Sequence, residues 1–288
     1  MKKMLLLVFI GLFILGCKND NDKRSIQYNT TKKVEENLIH KDKNTIKERF
    51  SPPKGYHWVN EHPESFAFFI ENFPLQKYGS PILQYNGNPI TTQNLHEAIF
   101  DIDIGNLDLQ QCADAIIRLK AEYLYKNKKY DAIKFHFTSG DVLSWNDYKN
   151  GIRAFVSGNS VTFKKAATAD ETYQNFRNYL DLIFTYAGTI SLHQYETKPV
   201  TETQHLKTGD ILITPGSPGH VVFIAGVSKN KDGKKLFLLG EGFTPAQSIH
   251  ILSNPFDSKI TPWYELDTHA AETKTARYLF KPTNFRSF

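Results

Sequence analysis

The chain has 288 residues, 40% hydrophobic and 13% aromatic, enough for a sizeable core in one domain. Its formal charge of +5 is unevenly spread: residues 18–49 hold nine Lys/Arg against six Asp/Glu, and beyond Arg49 the signs balance at 24 each. A neutral globular part lacks the clustered positive charge of a nucleic-acid footprint.

At the N-terminus, Lys2 and Lys3 precede an uncharged, mostly apolar run from Met4 to Gly16, and Ile14-Leu15-Gly16-Cys17 reads as a lipobox. The run is shorter than the roughly 20 residues a spanning helix needs and fits a signal-peptide core. Residues 1–17 are therefore expected to be a lipoprotein signal, with Cys17 carrying the lipid and anchoring the protein in the bacterial cell envelope, on the periplasmic or outer face. Residues 18–50 are rich in Asn, Lys and Glu and read as a flexible tether reaching roughly 30 Å. Ser51-Pro52-Pro53 closes it, and one globular α+β domain is expected over 51–288.

Within that domain, Ile82–Tyr85 reads as a strand before an Asn86-Gly87 turn, and Phe100, Ile102 and Ile104 alternate with Asp101 and Asp103 as a second. Leu109 to Tyr125 has a helical stripe of Leu109, Cys112, Ala113, Ile116, Ile117 and Leu124, with Asn106 and Asp108 as candidate caps. Ile133, Phe135 and Phe137 suggest a strand, and Glu171–Tyr186 a second helix capped by Asp170. The last third breaks into short apolar segments: 210–214, 220–227, 235–243, 248–252 and 276–281. They read as an antiparallel sheet.

Three features point to chemistry. Cys112 lies near a helix start, where free N–H groups and the dipole favour a thiolate. It also lies on the apolar stripe, as a buried packing cysteine would. With Cys17 lipidated, Cys112 is the sole remaining thiol. A structural zinc site needs several clustered ligands, and no metal or other cofactor is expected. Second, His220 opens an apolar strand after Gly216-Ser217-Pro218-Gly219, a rigid and uncrowded mount for a general base. Third, Glu241 on the next strand is a candidate to orient that imidazole. A two-residue turn at 231–232 or 232–233 puts Glu241 and Phe243 on the face of His220. A one-residue slip presents Gly240, Gly242 and Thr244 instead. Gln247 is the spare candidate.

A cysteine on a helix, then Gly209-Asp210 before a strand, then Gly219-His220 opening another, resembles the papain-like hydrolases of the NlpC and CHAP type. More closely, Gln111-Cys112-Ala113-Asp114-Ala115, Gly209-Asp210-Ile211, Pro215 to His220, Pro245-Ala246-Gln247 with Ile249-His250, and Pro262-Trp263-Tyr264 resemble a lipoprotein family known as domain of unknown function 4846. The distant resemblance implies a papain-like helix-plus-antiparallel-sheet fold with a large insertion between Cys112 and His220. It also implies amide hydrolysis, for instance of a wall peptide. Cys112 would be the nucleophile, His220 the base and Glu241 the orienting group. The Cys112 N–H and the Gln111 side chain would hold the oxyanion. Trp145 and Arg153, within the insertion, are candidates to line a cleft with Gln111 and Gln247, although core packing and solvation account for them nearly as well. The alternative is a non-catalytic envelope binding protein on the same scaffold.

Overall fold

The computed structural model describes residues 37–281 and 284–288; the expected signal segment, Cys17 and the expected tether up to residue 36 lie outside them. The folded part begins before Ser51. Leu38, Ile46 and Phe50 are buried in the main core, Ser51 N–H donates to the Leu38 carbonyl, and Thr45 caps a one-turn helix, α1 (Ile46–Arg49). The polar composition of this stretch suggests a tether, but from residue 37 on its few apolar residues, Leu38, Ile39, Ile46 and Phe50, pack into the same core.

Strand β1 (Tyr56–Trp58), helix α2 (Phe66–Glu71) and strand β2 (His96–Ile99) follow. The strand expected at 100–104 is displaced towards the N-terminus: Phe100 makes only an isolated bridge to Leu75, and the alternation beyond it belongs to a loop. Ile82–Tyr85 likewise contributes only isolated bridges, Leu83 with Pro89 and Gln84 with Gln247. Helix α3 (Cys112–Lys126) starts three residues later than its apolar stripe suggests. Its N-cap is Gln111, whose N–H donates to Asp114 Oδ2 at 3.0 Å, so neither Asn106 nor Asp108 caps it.

Between α3 and the main sheet's central strands lie β3 (Lys134–His136), β4 (Val142–Ser144), α4 (Trp145–Lys149), the hairpin β5 (Ile152–Ser157) and β6 (Ser160–Lys165), and α5 (Tyr173–Tyr186). Thr172, not Asp170, caps α5, accepting from Asn175 N–H. Phe176, Tyr179, Leu180 and Ile183 of α5 are fully buried, as an apolar stripe at helical spacing requires.

The remaining strands are β7 (Lys198–Pro199), β8 (Ile211–Thr214), β9 (His220–Asn230), β10 (Lys235–Glu241), β11 (His250–Leu252), the small hairpin β12 (Thr273–Lys274) and β13 (Leu279–Phe280), and β14 (Phe285–Ser287). Among the described residues they build an eight-stranded sheet ordered β2-β11-β10-β9-β8-β14-β7, with β1 pairing the far half of β9. Every pairing in it is antiparallel. One face, through Val221, Phe223 and Ala225, packs against Ala113, Ile116 and Ile117 of α3. The other, through Val222, Ile224 and Leu239, packs against Tyr264, Phe280 and Phe285. β9 is therefore apolar on both faces, the pattern of a central strand. The architecture is mixed α and β, with mostly antiparallel sheet and few helices.

Candidate functional site

Cys112 is the first residue of α3, a position whose backbone N–H has no acceptor within the helix. His220 is the first residue of β9, and Glu241 the last of β10. The loop before His220 is tightly set. Gly216 takes φ of +140°, and Thr189 Oγ1 bonds both its N–H and its carbonyl at 3.1 Å. A Cβ on Gly219 would stand 2.4 Å from Thr189 Oγ1 and 2.8 Å from the Thr214 carbonyl, so only glycine fits there.

The parity of the β9–β10 hairpin decides whether Glu241 meets His220. The turn is not a two-residue one. Asn230 N–H donates to the Lys234 carbonyl, leaving three residues between them. That turn alone would bring Gly240 and Gly242 to the histidine's face. A β-bulge corrects it: Leu238 pairs with Gly226 but Leu239 with Ile224, so Ala225 is the extra residue and the parity reverses. Glu241 then points to the same side as His220, and His220 Nε2 lies 2.9 Å from Glu241 Oε2.

Both partners are deeply buried, His220 3% exposed and Glu241 not at all. Burial works against ionising Glu241. The hydrogen bond from His220 and the neighbouring His250 imidazole outweigh it, holding the carboxyl at about 2. A carboxylate can only accept, so His220 Nε2 carries a proton, and Nδ1 is the nitrogen that bears the lone pair in that tautomer. His220 is packed between Phe243 and Tyr278, with ring centroids at 4.8 and 4.7 Å. These aromatic contacts fix its plane.

Cys112 and His220 line the same cleft, of about 770 Å³, together with Gln111, Phe184, Thr189, Phe243 and Tyr278. α3 lies on the opposite face of the sheet from the His–Glu pair, and the two sides meet at the sheet's end, where the chain leaves β10. Gly242 makes the approach possible: a Cβ there would stand 2.9 Å from the Gln111 carbonyl and 3.0 Å from Ala115 Cβ. The Cys112 thiol is only 7% exposed, and no hydrogen bond joins it to His220 among the described residues. Burial pushes the thiol up to about 11. The Val221 and Ala113 N–H groups counter this in part, while the Asp114 and Glu241 charges add to it. The resting sulfur is a neutral thiol, not the helix-stabilised thiolate that its position alone suggests. Asp114 beneath it is itself pushed up to about 8 by burial.

Gln111 is at the cleft as expected. Its Nε2 donates to Asp108 Oδ1 at 3.0 Å, and its Oε1 accepts from Thr244 Oγ1 at 2.9 Å. The other three binding candidates are elsewhere. Trp145 is 1% exposed and packs among Tyr125, Tyr148, Phe176 and Tyr179. Arg153 sits over the Tyr148 ring at 3.8 Å and donates to the Tyr148 and Ile152 carbonyls. Gln247 is buried at an isolated bridge with Gln84, and it is Glu241 that is hydrogen-bonded to His220. Conversely, Arg277 and Tyr278 approach the pair without any local motif to mark them, and His250, which belongs to a motif of the family resemblance, approaches Glu241 without having been a site candidate. A separate cleft of about 520 Å³, beside Phe68, Phe69 and Arg118, contains none of these residues.

Among the described residues, no group of His, Cys, Asp and Glu is arranged to hold a metal ion, and no helix is long and apolar enough to cross a membrane. The family described as Domain of unknown function (4846) matches residues 46–287. The chain belongs to that family. Its matched span starts at α1, ahead of Ser51, in agreement with the packing of Ile46 and Phe50. No curated protein and no solved structure matches the chain.

Proposed function

We propose that this DUF4846 protein is a thiol hydrolase of papain-like type, acting on an amide such as a wall peptide from the bacterial cell envelope. The observation that carries the reading is that His220, hydrogen-bonded to the buried Glu241, lines the same cleft as Cys112. A buried imidazole with one nitrogen fixed by a carboxylate and the other unused is the arrangement a general base needs. In this reading His220 Nδ1 takes the Cys112 proton as sulfur attacks the carbonyl carbon. The imidazolium then returns that proton to the departing amine as the C–N bond breaks. Water, activated in the same way, hydrolyses the thioester and frees the carboxylic acid. The Cys112 backbone N–H and the Gln111 amide are the donors available to the oxyanion. Because the resting thiol is neutral, proton removal accompanies attack instead of preceding it. Lipidation of Cys17, which lies outside the described residues, would place this activity at the membrane surface.

The test is hydrolysis of peptide fragments of the bacterial wall by the mature chain and by Cys112→Ala. Loss of cleavage in the variant at unchanged melting temperature supports the nucleophile; equal cleavage by both removes it. One observation favours a second reading, a non-catalytic binding lipoprotein: the Cys112 thiol is 7% exposed and has no hydrogen bond to His220. In that case the parent binds wall fragments and leaves them intact.

A further inference from the structure

The turn of the small β12–β13 hairpin, closed by Thr275 N–H to the Tyr278 carbonyl at 2.9 Å, delivers two consecutive side chains to the pair. Tyr278 lies against the His220 ring, and Arg277 reaches Glu241: its Nη1 stands 3.4 Å from Oε1, the oxygen His220 does not use. The guanidinium also lies 3.9 Å over Phe243, which packs on His220 from its other side. His250, the cross-strand partner of Glu241, brings Nε2 to 3.4 Å of the same Oε1, while its Nδ1 donates to the Ser248 carbonyl. Glu241 Oε1, Arg277 Nη1 and His250 Nε2 are buried and hold no hydrogen bond, so their mutual approach is one of charge.

A carboxylate fully removed from water must be compensated by a nearby positive charge. The titratable and charged groups facing Glu241 are His220 on β9, His250 on β11, Cys112 on α3, Tyr264 and Arg277. His96 stands behind His250, and Asp114 behind Cys112. Of the groups facing the carboxylate, only Arg277 carries a permanent positive charge. Without it, the cluster would recruit a proton onto an imidazole. A His220 protonated on both nitrogens cannot accept the Cys112 proton.

We propose that Arg277 is a positioning residue of the site, a permanent cation that joins His220 and His250 in holding the Glu241 carboxylate in place and so leaves His220 able to act as a base. This rests on the Cys112–His220–Glu241 reading and extends it to the C-terminal hairpin. The chemistry gives it a sign. Removing a cation raises the proton affinity of both the imidazole and the thiol, whereas removing the Glu241 anion lowers both.

The experiment is the rate of Cys112 alkylation by iodoacetamide as a function of pH, in the folded full chain. We expect Arg277→Met to move the midpoint upward by about one pH unit, Arg277→Lys to stay near the parent, and Glu241→Gln to move it downward. Arg277→Gln, which keeps a polar side chain, decides the case if the methionine variant does not melt cooperatively. A midpoint that stays or falls in the neutral variants, while Glu241→Gln shifts it, overturns the role of Arg277 alone. If neither Glu241→Gln nor His220→Ala alters alkylation, the site reading itself fails, and the proposal with it.

Discussion

The sheet end that carries His220 and the inserted region from 130 to 186 are built from the same kinds of residue, aromatic rings beside charged side chains, yet they do different things. In the insertion, the two side chains expected at a cleft are engaged close to home. Arg153 spends its donors on two carbonyls of its own neighbourhood, and Trp145 is one ring in a closed aromatic cluster. At the sheet end, His220, Glu241, His250 and Arg277 come from four separate segments and converge on one buried carboxylate, where only the His220–Glu241 hydrogen bond is formed and Glu241 Oε1, His250 Nε2 and Arg277 Nη1 approach without one. Buried polar atoms brought together at the cost of long-range pairing mark a site. An aromatic cluster with no polar atom left over marks a core.

That contrast can be broken by substitution. Trp145→Ala should cost about 3–5 kcal/mol of stability, the loss of a large buried ring, and leave the Cys112 alkylation rate of the folded fraction unchanged. Chemical denaturation and thiol labelling on the same sample would show it, and a parallel fall in labelling would tie the insertion to the site after all. Gly242→Ala should do both kinds of damage. Its new Cβ presses on the Gln111 carbonyl at 2.9 Å, so we expect about 1–3 kcal/mol from overpacking and altered Cys112 labelling as the start of α3 shifts.

The pH dependence sharpens the comparison further, because two carboxyls of the site are shifted in opposite directions. Glu241 is held down at about 2, so its contribution is present above the ordinary carboxylate range and is lost as pH falls through about 2. Asp114 is pushed up to about 8. Its neutral form favours the fold, and that contribution drains away as pH rises from the ordinary range through about 8. Melting temperature should therefore fall in the parent as pH rises from the ordinary carboxylate range to about 8, and less steeply in Asp114→Asn. An unchanged slope would mean that Asp114 is not the group responsible. The smallest effect is expected from Arg153→Ala: within about 1 kcal/mol in denaturation, with no change in labelling.

Much of this fold was legible in the chain, for reasons that can be named. The helices at 112–126 and 173–186 announce themselves through apolar residues at helical spacing, and β8 to β10 through short apolar runs between glycines. Cys112 and His220 were legible as candidates because each stands at the first position of such an element. Glu241 was legible only as one of two parities. A bulge at Ala225 settled it, and nothing in Ile224-Ala225-Gly226 signals which residue will be left unpaired. Arg277 and Tyr278 were invisible, since a turn remote in sequence acquires its meaning from where the hairpin lands. The thiol's burial was hidden for the same reason: helix position favours a charge that the surrounding sheet opposes. Composition misplaced the domain boundary because Leu38, Ile46 and Phe50 are sparse in sequence but converge in space.

The central claim is that Cys112 and His220 act on one another across their shared cleft, and covalent trapping of the native protein tests it most directly. With iodoacetamide at neutral pH, mass spectrometry should find Cys112 modified in the folded parent and modified at least about tenfold more slowly in His220→Ala, the loss expected when a general base is removed. Equal labelling of the two proteins, or labelling that appears only on unfolding, would contradict it.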